Sequence, residues 1–215
     1  LGKLEGSLKQ QLKTYLNSII NLVGNNGTIA VPAFYFEYSK KKYSFNTSLS
    51  PVSREIGLFS NFFCKQKNVK RSLNPLRSVA AIGKNAKYIC GGNTATSYGV
   101  DSPFDRLTKL KAKIVLVGAE NLSYVHYVEY MVGVPHIYSK LFETPIYRKN
   151  KKINLPISSQ VNYLDYNVIY PAAKEVLRKF EKAGLVRKSK LGKGFIKVLL
   201  VEKVFDFLKK NIQKN

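Results

Sequence analysis

Two consecutive stretches, Lys113-Ile-Val-Leu-Val-Gly-Ala119 and Ser123-Tyr-Val-His-Tyr-Val-Glu-Tyr130, decide how this chain is read. The first is a short apolar, β-branched run closed by glycine, the pattern of a buried strand ending in a turn. In the second, Asn121 or Ser123 caps a helix whose Val125, Val128 and Val132 fall at helical spacing. A strand feeding directly into a helix is an α/β signature, and open α/β sheets place their chemistry at such strand ends. The same helix carries His126, one of only two histidines in the chain, three residues before Glu129. Side chains three apart share a helix face, so the carboxylate orients the imidazole and favours its cation. His126 with Glu129 is therefore a candidate general-base dyad, although an i, i+3 surface pair gives the same spacing.

Outward from this centre, Leu4, Leu8, Leu12, Leu16, Ile19, Ile20 and Val23 form a helical face ending at Gly24, and Asn25-Asn-Gly27 turns the chain into a strand at 28–34. Ser50-Pro51 predicts a second helix with Ile56, Phe59, Phe62 and Phe63 as its buried stripe. Ser102-Pro103-Phe104-Asp105 predicts another helix start, with Ser102 as cap and proline at the first helical position. A helix at 171–183, a basic hairpin within 184–198 and a helix bearing Val204, Phe205, Phe207, Leu208 and Ile212 complete the chain.

Composition narrows the class. With 215 residues and 45% apolar content the chain suffices for one well-covered core, and one domain over 1–215 is expected. Cys64 and Cys90 give neither a zinc spacing nor a disulfide framework, which fits a reducing cytoplasm. Two histidines and no tight carboxylate cluster predict no metal site. The longest apolar runs, such as Val198–Val201, are too short to span a bilayer. A formal net charge of +23, from 36 Lys and Arg against 13 Asp and Glu, draws polyanions in general. No glycine-rich nucleotide loop follows any strand.

Five segments, in order, resemble the aminoglycoside 3-N-acetyltransferase (antibiotic N-acetyltransferase) family. These are Gly27-Thr-Ile-Ala-Val-Pro-Ala-Phe34, Ser50-Pro-Val-Ser-Arg-Glu-Ile-Gly-Leu58, Arg71-Ser-Leu-Asn-Pro-Leu-Arg-Ser-Val-Ala80, Gly99-Val-Asp-Ser-Pro-Phe-Asp-Arg-Leu107, and His126-Tyr-Val-Glu-Tyr130 with Gly133-Val-Pro135. Within the third, Asn74 and Arg77 stand where the family carries histidines. The chain opens past the strand and His-Ser-Ser type loop that precede this point in family members. The resemblance implies a three-layer α/β fold with a mixed central sheet flanked by helices, and an acyltransferase using acetyl-coenzyme A or another acyl-coenzyme A. Its acceptor would be the 3-amino group of an aminoglycoside or amino sugar, a role tied to antibiotic resistance. The resemblance further implies His126 and Glu129 as catalytic residues, Ser78, Asp101, Ser102 and Phe104 near the cofactor, and Phe34, Tyr35 and Asn74 near the acceptor.

The strong positive charge tilts the expected acceptor toward a nucleotide-linked 3-amino sugar, because polycationic aminoglycosides need carboxylate-rich pockets. Glu37, Asp101, Asp105 and Glu120 fall in or beside loop regions and are the available acidic groups. Two alternatives stand beside this reading: a nucleic-acid-binding module built on the basic C-terminal wing, and a non-catalytic family member. No helix-turn-helix pair precedes the wing, which disfavours the first. A homo-oligomer is compatible with this reading.

Overall fold

Capping and glycine chemistry set the ends of the first helix in the computed structural model, which describes residues 6–40, 43–91, 95–165, 171–192 and 194–212. Helix α1 spans Leu8–Val23. Ser7 opens it with a capping box: its hydroxyl accepts from the Gln10 amide at 3.4 Å, and the Gln10 side chain accepts from the Ser7 amide at 2.7 Å. Gly24, at φ +68°, closes it by donating to the Ile20 carbonyl. Of the expected apolar face Leu12 and Leu16 are buried, and Leu4 lies outside the described residues.

The remaining elements, in chain order, are β1 (Thr28–Pro32), β2 (Phe45–Asn46), α2 (Leu58–Cys64), β3 (Lys70–Arg71), β4 (Val79–Gly83), α3 (Ala86–Cys90), α4 (Pro103–Lys109), β5 (Lys113–Val117), α5 (Tyr124–Val132), β6 (Ile137–Phe142), β7 (Ile146–Arg148), β8 (Lys151–Ile153), β9 (Ile157–Asn162), α6 (Ala173–Lys182), β10 (Arg187–Leu191), β11 (Gly194–Leu200) and α7 (Val201–Ile212). The architecture is α/β, as expected. The sheet is distributed among small sheets of order β1-β4-β3, β10-β11-β5 and β2-β7-β8, with a β6-β9 pair. β2 and β7 run parallel, and the other registered pairs are antiparallel.

The chain folds as two compact units. One comprises residues 1–97, 101–103 and 141–159, the other 98–100, 104–140 and 160–215. In the first, α1, α2 and α3 pack against the β1-β4-β3 sheet, and Leu16, Ile29, Val31, Val52, Phe63 and Ala80 form one apolar cluster there. A second cluster joins Tyr35, Tyr38, Phe45, Leu76, Phe142 and Ile157. Buried Arg71 links the strands to the loop before α2. Its guanidinium donates to the carbonyls of Ala33, Ser50 and Pro51 and lies 4.7 Å from the Phe45 ring centroid.

The expected helix start at Ser50-Pro51 is corrected. A 3-10 turn at Arg54–Ile56 intervenes, and α2 begins only after Gly57, whose φ of +103° breaks the helix path. Pro51 instead offers its carbonyl to Arg71. Phe63 is fully buried, and Ile56, Phe59 and Phe62 pack partly buried against the same cluster, so the stripe survives with a later start.

In the second unit, β5 is an edge strand paired with β11 alone among the described residues, and its Val115 is 52% exposed. The apolar run thus forms the predicted strand without the two-sided cover that its composition implied. The basic hairpin is β10 and β11, and β11 passes directly into α7, whose Val201, Val204 and Leu208 are buried. α4 begins at Pro103, as read from the sequence. Among the described residues no helix is long and apolar enough to cross a membrane.

Two predictions follow from backbone space and from buried phenols. Gly83, at φ +113°, pairs with Thr28, and an added Cβ would lie 2.2 Å from the Gly27 carbonyl oxygen. Gly83→Ala is expected to lower stability by at least about 2 kcal/mol, read as a shift in urea midpoint. Burial pushes the Tyr38 and Tyr124 phenols up to about 12 and the Tyr127 phenol up as well, from an ordinary value of 10.0. Above pH 10 the unfolded chain loses phenolic protons that the folded chain keeps, so stability falls as pH rises through about 10–12. Melting curves across that window should show the decline, with a shallower slope in Tyr124→Phe.

Candidate active site

Helix α5 is oriented by its aromatic residues. Tyr124, Tyr127 and Val128 are its buried face, while Val125 and Val132 are only partly covered. The valine stripe expected at 125, 128 and 132 is corrected on that point: larger rings take the interior because they remove more apolar surface from water. The Tyr127 hydroxyl donates to Asp105 Oδ1 at 3.1 Å, and Tyr124 meets the Thr108 hydroxyl at 2.8 Å. Thr108 in turn donates to the Phe104 carbonyl within α4. Asp105 also holds Lys109 at 2.8 Å. Phe104 stacks on Tyr127 at 6.4 Å, and Phe205 of α7 approaches the same ring at 6.1 Å. These bonds fix the rotation of α5 against α4.

With that rotation fixed, one turn of α5 presents the dyad. His126 Nδ1 lies 2.8 Å from Glu129 Oε2. The Glu129 side chain is 12% exposed and the His126 side chain 49%. A carboxylate can only accept, so Nδ1 is the donor of this pair. A buried carboxylate behind a half-exposed imidazole is the arrangement of an oriented general base. Tyr98, itself buried, places its ring 6.4 Å from the imidazole and 5.0 Å from Phe104. Ser123 sits at the helix N-cap without a side-chain cap bond, and Gly133, in the left-handed conformation at φ +75°, terminates the helix.

The remaining expected site residues divide between the units. Phe104 lies with the dyad's unit, beneath Tyr98 and Tyr127. Asp101, exposed at φ +62°, and Ser102, fully buried just before α4, belong to the other unit. In the other unit the Ser78 hydroxyl donates to the Ala33 carbonyl and accepts from Arg71. Asn74 is fully buried, and its amide donates to the Ala95 and Ser158 carbonyls while its oxygen accepts from the Leu76 and Arg77 amides. Phe34 and Tyr35 are buried as well, with Arg77 lying 5.3 Å from the Phe34 ring centroid. Ser78 and Asn74 thus spend their polar groups on internal bonds.

Glu37 accepts from Ser53, and Asp105 serves Tyr127 and Lys109, so two of the acidic groups singled out from the sequence have structural partners. Sequence reasoning missed Tyr124 and Tyr127 as the residues that aim the dyad. Their spacing of three was visible, but nothing local named Asp105 and Thr108 as their partners. Neither cysteine is an activated nucleophile: burial pushes the Cys64 thiol up, and Cys90 donates to the Lys70 and Val79 carbonyls.

A family model described as aminoglycoside 3-N-acetyltransferase matches residues 1–213. Aminoglycoside N(3)-acetyltransferase III of Pseudomonas aeruginosa is 25% identical over 119 residues, covering 54% of this chain and 44% of that protein. Aminoglycoside N(3)-acetyltransferase VII of Streptomyces paromomycinus is 22% identical over 221 residues, covering 91% and 77%. The first of these alignments therefore spans under half of its relative. Among solved structures, AAC-IIIb in binary complex with CoASH superposes with a TM-score of 0.80 at 20% identity, covering 94% of this chain and 83% of that one. AAC-VIa bound to sisomicin gives 0.80 at 18% identity, covering 97% and 87%, and YokD from Bacillus subtilis gives 0.79 at 20%, covering 100% and 88%. These likenesses establish the fold, and the family match over nearly the whole length establishes descent: the chain belongs to the aminoglycoside 3-N-acetyltransferase family.

Proposed function

We propose that this chain is an acyltransferase that moves an acyl group from acetyl-coenzyme A, or another acyl-coenzyme A, to a primary amine of an aminoglycoside or amino sugar. The observation that carries the reading is the 2.8 Å contact between His126 Nδ1 and a buried Glu129, on a helix whose rotation is locked from behind. Family membership supports the reaction class. Relatives described as bound to CoASH and to sisomicin support the two ligand types.

In this mechanism Nε2 of His126 takes a proton from the acceptor ammonium or from the attacking amine. The nitrogen lone pair then forms the C–N bond, the C–S bond of the thioester breaks, and coenzyme A leaves as the thiol after protonation. Glu129 holds the imidazole tautomer and stabilises its cation while it carries the proton. The direct route is preferred because neither thiol is poised to form an acyl-enzyme. The whole of 1–215 is taken as one acyltransferase domain working in the cytoplasm, without a metal. Ser78, Asp101, Ser102 and Phe104 are the positions carried over for the cofactor, and Phe34, Tyr35 and Asn74 those for the acceptor.

The charge of +23 favours an acceptor that is itself anionic, such as a nucleotide-linked 3-amino sugar, over a polycation. An assay of coenzyme A release against both acceptor types ranks them. In the same assay His126→Ala should lose roughly 10²–10⁴-fold in kcat. Glu129→Gln should also lose kcat with little change in KM for acyl-coenzyme A, because the amide no longer fixes the tautomer. Undiminished turnover by His126→Ala removes the mechanism. Acetyl-coenzyme A should also raise the melting temperature of the wild-type protein, and no shift even at large excess favours a non-catalytic family member.

A further inference from the structure

Between Glu181 and Glu202 the sequence holds six cations, Lys182, Arg187, Lys188, Lys190, Lys193 and Lys197, and no acidic residue. Most of them belong to the β10–β11 hairpin, whose burial falls off toward its turn. On β11 Leu199 is buried, residues 196–198 are partly buried, and Gly194 and Phe195 are exposed. All five residues of β10 are exposed, on both faces of the ribbon. The third strand of the sheet, β5, ends opposite Ile196, so the last rungs, Lys190 with Phe195 and Leu191 with Gly194, are two-stranded. At that end two large apolar side chains face water, Leu191 at 50% and Phe195 at 47% exposure. Alternation along the strands sets them on opposite faces of the ribbon, so the tip is apolar on both sides. Behind the tip the Lys188 ammonium lies 4.1 Å from the Phe195 ring centroid. Glu181 is engaged by Lys197 at 3.1 Å, and no acidic side chain pairs with Arg187, Lys188 or Lys190 among the described residues.

We propose that the β10–β11 hairpin is a peripheral membrane anchor whose tip enters the surface of a bilayer rich in anionic lipid. Leu191 and Phe195 sit at the boundary between headgroups and acyl chains, and Arg187, Lys188 and Lys190 meet the headgroup phosphates. Lys190 and Lys188 trail Leu191 by about 3 and 10 Å along the strand. They are therefore level with the headgroups once the tip is immersed by the roughly 5–10 Å usual for interfacial elements. Lysine stems can lie along an apolar tip while their ammonium groups reach the phosphates. Each cation close to an anionic leaflet adds about five-fold in affinity. Two apolar side chains and a few cations give a reversible attachment rather than a permanent one. A nucleic acid would satisfy the cations yet leave Leu191 in water, and Lys188 already covers one face of the Phe195 ring, so the apolar tip favours lipid. The anchor is separate from the acyltransfer chemistry, and none of its residues belongs to the candidate active site.

The chain has no tryptophan, so Phe195→Trp places a single fluorescent reporter at the tip. In the full chain carrying that substitution, vesicles of about one-third phosphatidylserine in phosphatidylcholine should shift the emission to the blue, and vesicles of phosphatidylcholine alone should not. Wild-type protein should co-sediment with the anionic vesicles. Leu191→Ser combined with Phe195→Ser should weaken that partition at least about ten-fold at an unchanged melting temperature. Lys188→Gln combined with Lys190→Gln should weaken it to a similar degree. Lys9→Gln with Lys13→Gln, which removes the same charge from exposed positions of α1, should bind as the wild type does. Wild-type protein that stays in the supernatant overturns the anchor. Binding that survives loss of both apolar side chains, or an equal loss in the α1 variant, also overturns it, because the net charge would then be adsorbing without orientation. A DNA duplex that gives the same blue shift without lipid reassigns the ribbon to nucleic acid and overturns the anchor as well.

Discussion

The hydrogen bond from Tyr127 to Asp105, with its neighbour between Tyr124 and Thr108, is the constraint on which the dyad depends. A helix nine residues long has little intrinsic stability, so tertiary contacts decide its orientation. Two phenols on the buried side and an imidazole on the accessible side differ by only one or two positions in sequence. A rotation of α5 by one residue, about 100°, would turn His126 into the interior and expose a phenol. Both phenols are donors whose protons burial secures. The lock is therefore polar and directional where an apolar contact alone would tolerate sliding.

The other unit solves a comparable problem with Arg71 and Asn74. Each gathers backbone carbonyls or amides from segments far apart in sequence: Arg71 from Ala33, Ser50 and Pro51, Asn74 from Ala95, Ser158, Leu76 and Arg77. These loops carry backbone groups with no ladder partner, and a multi-donor side chain satisfies them without regular structure. The segment around Asn74 and Ser78, singled out from resemblance as near the ligands, is by geometry a set of internal ties.

Legibility in the sequence followed the locality of the signal. Gly24 ending α1, Pro103 starting α4 and the hairpin at β10-β11 were all announced by residues within a turn of the feature. The spacing of His126 and Glu129 was equally local, and their contact followed from helix geometry. Features set by distant partners were not legible. The start of α2 depends on Gly57 and on Arg71 claiming the Pro51 carbonyl. The edge position of β5 depends on which strands pair with it, and an apolar run reads alike in the middle of a sheet and at its edge. The buried face of α5 depends on Asp105 and Thr108, about twenty residues upstream, and periodicity alone assigned it to the valines.

Charge acts on the proposed reaction at two ranges with opposite demands. A surface at +23 raises the potential over the whole molecule, although salt confines each exposed charge to about 8 Å at physiological ionic strength. A positive potential disfavours the ammonium form of a bound amine, which lowers its pKa and lightens the task of His126. The same potential repels an acceptor carrying many amines. Glu129 is the local correction: a buried carboxylate 2.8 Å from the imidazole offsets the field where the transferred proton comes to rest.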